Sequence, residues 1–143
     1  MEVHMKTPFD KTISLALALT FAAVGSLFLL QPDAALRLMN GLGRGFGLPE
    51  APLAGASFYL GLAAGYMYVV TVLAWMMFRN PAQPLLPLLL AHAKGASGLI
   101  SCGLFVFHHP YFIYLANGAI DLLLAVLALL LLARRKRAGA ELR

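Results

Sequence analysis

Charge is scarce in this chain. Of its 143 residues, 11 are Lys or Arg and 6 are Asp or Glu, against 61% hydrophobic residues and a mean hydropathy of +0.80. Soluble domains carry roughly a quarter charged residues, so the composition excludes an ordinary water-facing surface. Cysteine is scarcer still. Cys102 has no second cysteine for a disulfide or a zinc site, and inside an apolar run it reads as a small buried hydrophobe. The chain also lacks a Gly-x-Ser-x-Gly elbow, a zinc-protease motif, a Gly-Lys-Ser/Thr phosphate loop and any paired-carboxylate arrangement. No residue is therefore assigned as catalytic, and only Asp121 is expected to carry a carboxylate into the apolar interior.

What is present in quantity is apolar length. The runs Ile13–Leu30, Ser57–Phe78, Leu85–Phe107 and Tyr111–Leu132 are each long enough, or nearly so, to cross a ~30 Å hydrocarbon core. They predict an all-α, integral membrane four-helix bundle filling residues 1–143 as one domain, with a basic tail over 133–143. The first run exceeds the usual h-region of a signal peptide and is read as a span. Within it Ser14, Ala18, Ala22 and Ser26 form a small-residue stripe suited to close helix contact, as do Gly61 and Gly65 in the second run.

The formal charge of +5 would suit nucleic acid if the basic residues were clustered on one surface. They lie instead at the ends of the runs. Lys6, Lys11, Arg79, Arg134, Arg135, Lys136, Arg137 and Arg143 fall on one side, and only Arg37 and Arg44 on the other, beside Asp33 and Glu50. The positive-inside rule then predicts both termini in the cytoplasm, in a bacterial inner membrane, with the terminal basic cluster as a stop-transfer anchor and no nucleic-acid role. Between the first two runs, Pro32-Asp33 opens a short piece whose Leu36, Met39 and Leu42 predict an interfacial helix ending near Asn40-Gly41. The alternating Gly41, Gly43, Gly45 and Gly47 are expected to form a flexible surface connection.

Two runs carry one full charge near the middle, Lys94 in the third and Asp121 in the fourth. An ionisable group at that depth costs several kcal/mol unless paired or facing a cavity, which makes each a functional candidate. At 1.5 Å per residue both lie ~15–17 Å from the same end, so a buried polar pair is expected. Ser97, Ser101 and His108 share the Lys94 side of one helix, and Tyr114 and Asn117 the Asp121 side of the next. Tyr66 and Tyr68 lie at mid-span in the second run, and one of them is expected to join this layer, the bland alternative being a bond to a nearby carbonyl. A register-fixing salt bridge is the first explanation of the pair, ahead of a proton-linked or ligand-binding role.

Histidine does not extend this to a metal or haem site. His92 and His108 lie on one helix and His109 at its edge, without the facing ligands or Glu-x-x-His spacing that such centres need. His92 points away from the polar face, which predicts another helix or a partner chain packed over it; His108 and His109 could likewise face a partner.

This layout of four spans, a Pro-Asp piece after the first, and single buried polar residues in the last two resembles the small bacterial DoxX-like membrane proteins. The resemblance implies a partner oxidoreductase and a quinone and transfers no residue. The expected function is a non-catalytic accessory or assembly subunit of a larger bacterial membrane complex, with other membrane subunits or further copies of itself as partners in the lipid bilayer and no cofactor of its own. The alternative is a self-contained binder or carrier of a lipid-like molecule such as a quinone; a membrane isomerase is a more distant reading.

Overall fold

The computed structural model describes residues 8–140, and Lys6 and Arg143 of the charge argument lie outside them. Five helices follow one another: α1 (Pro8–Leu30), α2 (Pro32–Gly45), α3 (Ala56–Arg79), α4 (Leu85–Phe107) and α5 (Phe112–Ala140). No strand occurs among the described residues. Four of the helices, all but α2, are long and apolar enough to cross a membrane. Their breaks are chemical. Asn80, Pro81 and Pro84 stop α3 and open α4, and His109-Pro110 separates α4 from α5. Pro32 occupies the first turn of α2, where a missing N–H costs nothing, and Gly55 enters α3 at φ +77°, a conformation glycine adopts freely.

Three boundaries differ from the sequence expectation. Helix α1 begins at Pro8, so Asp10 and Lys11 belong to it. The glycines at 41, 43 and 45 are helical, and the expected flexible connection shrinks to the segment after Gly45. Gly43 is needed there because a Cβ would lie 2.8 Å from that of Phe112. The basic tail also continues α5 as far as Ala140, since Arg and Lys are good helix formers and no proline intervenes.

Helices α1 and α3 pack along one another, as do α4 and α5, and α3 joins the two pairs through α4. Both close pairs run antiparallel: Gly25 meets Met67 while the earlier Leu17, Ala18 and Phe21 share a core with the later Val70, Ala74 and Met77, and Lys94 meets Asp121 while Ser101 meets Asn117. Apolar burial holds the pairs together through Phe21, Val70, Ala74, Met77, Leu90, Ala128 and Leu131. The outward faces stay apolar as well, with Leu19, Leu62, Val69, Leu99, Ile100, Leu123 and Leu130 all exposed. A contiguous apolar exterior of this extent suits a lipid surround.

The small-residue stripe of α1 is divided. Ser14 and Ala18 are buried, whereas Ala22 and Ser26 are exposed. Gly61 and Gly65 meet nothing: no described atom comes within 4 Å of a Cβ placed on either. Inside this chain the close α1–α3 contact is made by Gly25, whose Cβ would stand 2.9 Å from Met67.

The loop from α2 to α3 is fixed by one side chain. Buried Asn40 donates to Ala51 O at 2.8 Å and accepts from Ala51 N at 3.0 Å, satisfying both backbone groups of that residue. Leu36, Ala51 and Leu60 make a small core beneath it. Leu42 is exposed, so the apolar face of α2 is carried by Ala35, Leu36 and Met39 rather than by Leu42.

Candidate functional site

Lys94 and Asp121 meet. The Lys94 ammonium donates to Asp121 Oδ1 at 2.9 Å, and the two residues are 1% and 3% exposed. The close approach of α4 and α5 makes this geometry. A Cβ on Gly98 would fall 2.8 Å from Leu122 Cγ, and one on Gly118 would fall 2.7 Å from Cys102 Sγ. Small residues at these crossings let two backbones approach within reach of a short carboxylate.

The ammonium is enclosed on its other sides by soft groups. Phe21 presents its ring 4.8 Å away, Tyr66 its ring 5.0 Å away, and Met67 Sδ lies at 3.8 Å. Aromatic faces carry partial negative charge, so this cage favours a cation where water is excluded. Asp121 is less completely served. Its Oδ2 is buried with no hydrogen-bond partner among the described residues.

One turn along each helix toward the α4–α5 turn lies a second polar step. Asn117 Nδ2 donates to Ser101 Oγ at 2.8 Å and stands 3.4 Å from Ser97 Oγ. Residues expected in one layer thus form two adjoining steps, with Ser97, Ser101 and Asn117 beside the ion pair. Of the two candidate tyrosines only Tyr66 faces inward, its hydroxyl buried and unpartnered among the described residues, whereas Tyr68 is 70% exposed. Two residues apart on a helix means 200° around it, so one orientation excludes the other. Tyr114 is outside the layer as well. It stands a turn beyond Asn117, with its ring 5.8 Å from that of Tyr111.

The histidines lie elsewhere. α4 ends at Phe107, leaving His108 and His109 exposed with their rings 4.3 Å apart, so His108 does not continue the polar face. His92 Nδ1 lies 2.8 Å from Leu88 O of its own helix, and the side chain is exposed, so no helix of the described chain covers it as expected. No group of three or more His, Cys, Asp or Glu side chains gathers among the described residues.

Between α1 and α5, a groove of about 250 Å³ leads to the ion pair. Its walls are Phe21, Val24 and Leu27 from α1, Ile113, Ala116, Ile120 and Leu124 from α5, and Ala35 and Met39 of α2 at one end. Lys94, Asn117 and Asp121 supply its polar floor. The groove was not visible in the sequence because its walls come from the first and last helices.

A second buried charge was also missed. Asp10, in the first turn of α1, is 2% exposed and lies 3.7 Å from the exposed Arg134, while Arg135 of α5 is buried and donates to Gln83 O at 3.1 Å. Asp121 is therefore not the sole buried carboxylate. The signal was a continuing face: Ala128, Leu131, Leu132 and Arg135 recur at helical spacing past the end of the apolar run.

No family model, curated protein or solved structure matches the chain.

Proposed function

We propose that the protein is a four-helix integral membrane bundle that binds a lipid-like, membrane-dissolved molecule in the groove between α1 and α5. The observation that carries this reading is the groove itself. An apolar channel ending on a charged pair, an amide and an unpartnered carboxylate oxygen has the anatomy of a binding pocket: mostly apolar walls with a few convergent polar groups. A salt bridge that served only helix register would not require such access. In this reading both termini are cytoplasmic in a bacterial inner membrane, α2 lies in the opposite interface above the groove, and the lipid-exposed side of the groove admits the ligand's tail. A quinone in its reduced, hydroxyl-bearing form is one molecule of suitable class, in keeping with the DoxX-like layout, and the chain itself performs no chemistry.

The test is purification in mild detergent followed by native mass spectrometry of bound small molecules. The native protein should retain a lipid-like species. Ala116→Phe, which fills the groove from a half-buried position, should fold and lose it. Retention by the filled variant, or a ligand-free native protein that takes up no added lipid, rejects the proposal.

A second reading, that of a subunit in a larger membrane complex, is favoured by Gly61 and Gly65, which no helix of the described chain uses, and by mid-span polar groups on Tyr68 and His92 that face outward. Co-purifying membrane proteins in the same experiment, lost on Gly61→Leu, would support it.

A further inference from the structure

We infer that the α1–α5 groove selects an uncharged molecule whose head is a hydroxyl, held as a donor to Asp121 Oδ2. This rests on the binding role proposed above and specifies its ligand. The polar atoms of the floor differ in what they have left to offer. Lys94 Nζ is engaged by Asp121 Oδ1 and enclosed by Met67 Sδ and the rings of Phe21 and Tyr66. Asn117 directs its amide hydrogens at Ser101 and Ser97. Asp121 lines the groove, and its Oδ2 is buried without a partner among the described residues. Of the floor's polar atoms only Asp121 Oδ2, an acceptor, is buried with no partner at all among the described residues, so the complementary head is a donor. Tyr66 Oη is an unpartnered donor in the same region, yet Tyr66 does not line the groove.

Charge narrows the class. Lys94 and Asp121 already balance one another in a water-poor setting. An anionic head would meet the carboxylate at short range, and a cationic one the ammonium, while both would pay desolvation. Fatty acids, phospholipid head groups and amines are therefore disfavoured. Ethers, ketones and the oxidised form of a quinone are uncharged but leave Oδ2 unmet; a bond to a buried charged acceptor is worth enough to separate donor from non-donor by about tenfold to a hundredfold. Size sets the remainder. A cavity of about 150 Å³ holds benzene, so the groove at about 250 Å³ takes one substituted ring or a short alkyl segment, with the tail outside in lipid.

The test compares 4-hexylphenol with its methyl ether, 4-hexylanisole, and with 4-hexylbenzoate, on the purified full chain in lipid nanodiscs. Affinities are corrected for probe partitioning and measured against Ala116→Phe as the filled-groove background. The phenol should bind at least tenfold tighter than the ether, and the benzoate no better than the ether. Because Asp121→Asn alone leaves Lys94 unpaired and risks misfolding, the second protein is the double variant Lys94→Met with Asp121→Asn. Its preference for the phenol should fall below threefold. Equal affinity for phenol and ether, tighter binding of the ether or benzoate, or a phenol preference that survives in the double variant would overturn the hydroxyl assignment while leaving a binding groove. Binding of no probe above the Ala116→Phe background would overturn the groove's role and the hydroxyl assignment together.

Discussion

Gly118 of α5 lies so close to Cys102 of α4 that a Cβ would come within 2.7 Å of the thiol sulfur and 3.3 Å of the Cys102 backbone nitrogen. Gly98 stands in the same relation to Leu122, including its backbone nitrogen at 3.0 Å. Side chains can turn aside, but backbone atoms cannot. Gly98→Ala and Gly118→Ala should therefore lower the melting temperature in detergent, the overpacking cost of ~1–3 kcal/mol outweighing the ~1 kcal/mol that alanine gains in helix propensity. Gly61→Ala and Gly65→Ala, with open space around them, should leave an isolated chain unchanged or slightly more stable. Equal effects at all four positions would contradict the packing described here.

That helix contact holds Lys94 and Asp121 together, so the pair should behave as a unit. Lys94→Met or Asp121→Asn alone leaves its partner buried and uncompensated, at a cost of ~3–5 kcal/mol, softened if the survivor becomes neutral. Replacing both should cost less than either single change. A double-mutant cycle on thermal stability reads the coupling directly, and strictly additive effects would show that the two charges do not interact.

Orientation has its own test. A reporter fused after Arg143 or inserted at Ala82 should report the cytoplasm, and one at Gly45 the opposite side. A cytoplasmic Gly45 would invert the assignment and place α2 and the mouth of the groove on the inner face.

The four long helices were legible because apolar length is a coarse signal, and Lys94 and Asp121 because a lone charge in such a run has few benign explanations. Ser97, Ser101 and Asn117 followed from the helical period. Tyr66 and Tyr68 could not be separated: with most of the helix apolar on every side, the sequence lacks the polar face that fixes rotation. Arg135 was hidden for another reason. In Arg134-Arg135-Lys136-Arg137, four similar charges at a helix end read as a solvated cluster, and only extending the Ala128, Leu131 and Leu132 face past the apolar run singles out the one that turns inward. The groove needs the first and last helices side by side, which no local pattern encodes.

Asn40 offers a prediction about the loop rather than the spans. Asn40→Ala would strip both hydrogen bonds from Ala51 and leave its N–H and C=O buried and unmet, at roughly 2–4 kcal/mol in total. Hydrogen exchange should rise across residues 46–55 while α4 and α5 stay protected. Asn40→Asp keeps the acceptor and loses the donor, so it should rescue only part of that protection. Exchange unchanged by Asn40→Ala would mean that the loop is held by something other than this side chain.

The last prediction concerns the end of the molecule where α1 begins and α5 finishes. Asp10 is almost fully buried, yet its ion pair is with Arg134, whose side chain is 59% exposed and 3.7 Å away. A long pair whose cation is solvent-exposed and screened contributes ~0–1 kcal/mol, so Arg134→Ala should change little. Arg135 is different. It is buried, ties α5 to the α3–α4 turn through Gln83 O, and lies within Coulombic reach of Asp10, while its Nε and Nη2 have no hydrogen-bond partner among the described residues. Arg135→Met should therefore leave Asp10 poorly compensated, and Asp10→Asn should leave Arg135 without its counter-charge. Each single change should destabilise by ~1–3 kcal/mol, below the range for a fully sealed pair because this end lies close to solvent. The double variant Asp10→Asn with Arg135→Met should recover most of the loss, since it removes a buried charge of each sign together. Melting curves of the four proteins decide the matter. If Arg135→Met alone were more stable than the native chain, the cost of its unmet donors would exceed its value to Asp10, and the buried carboxylate would have to be held by Arg134.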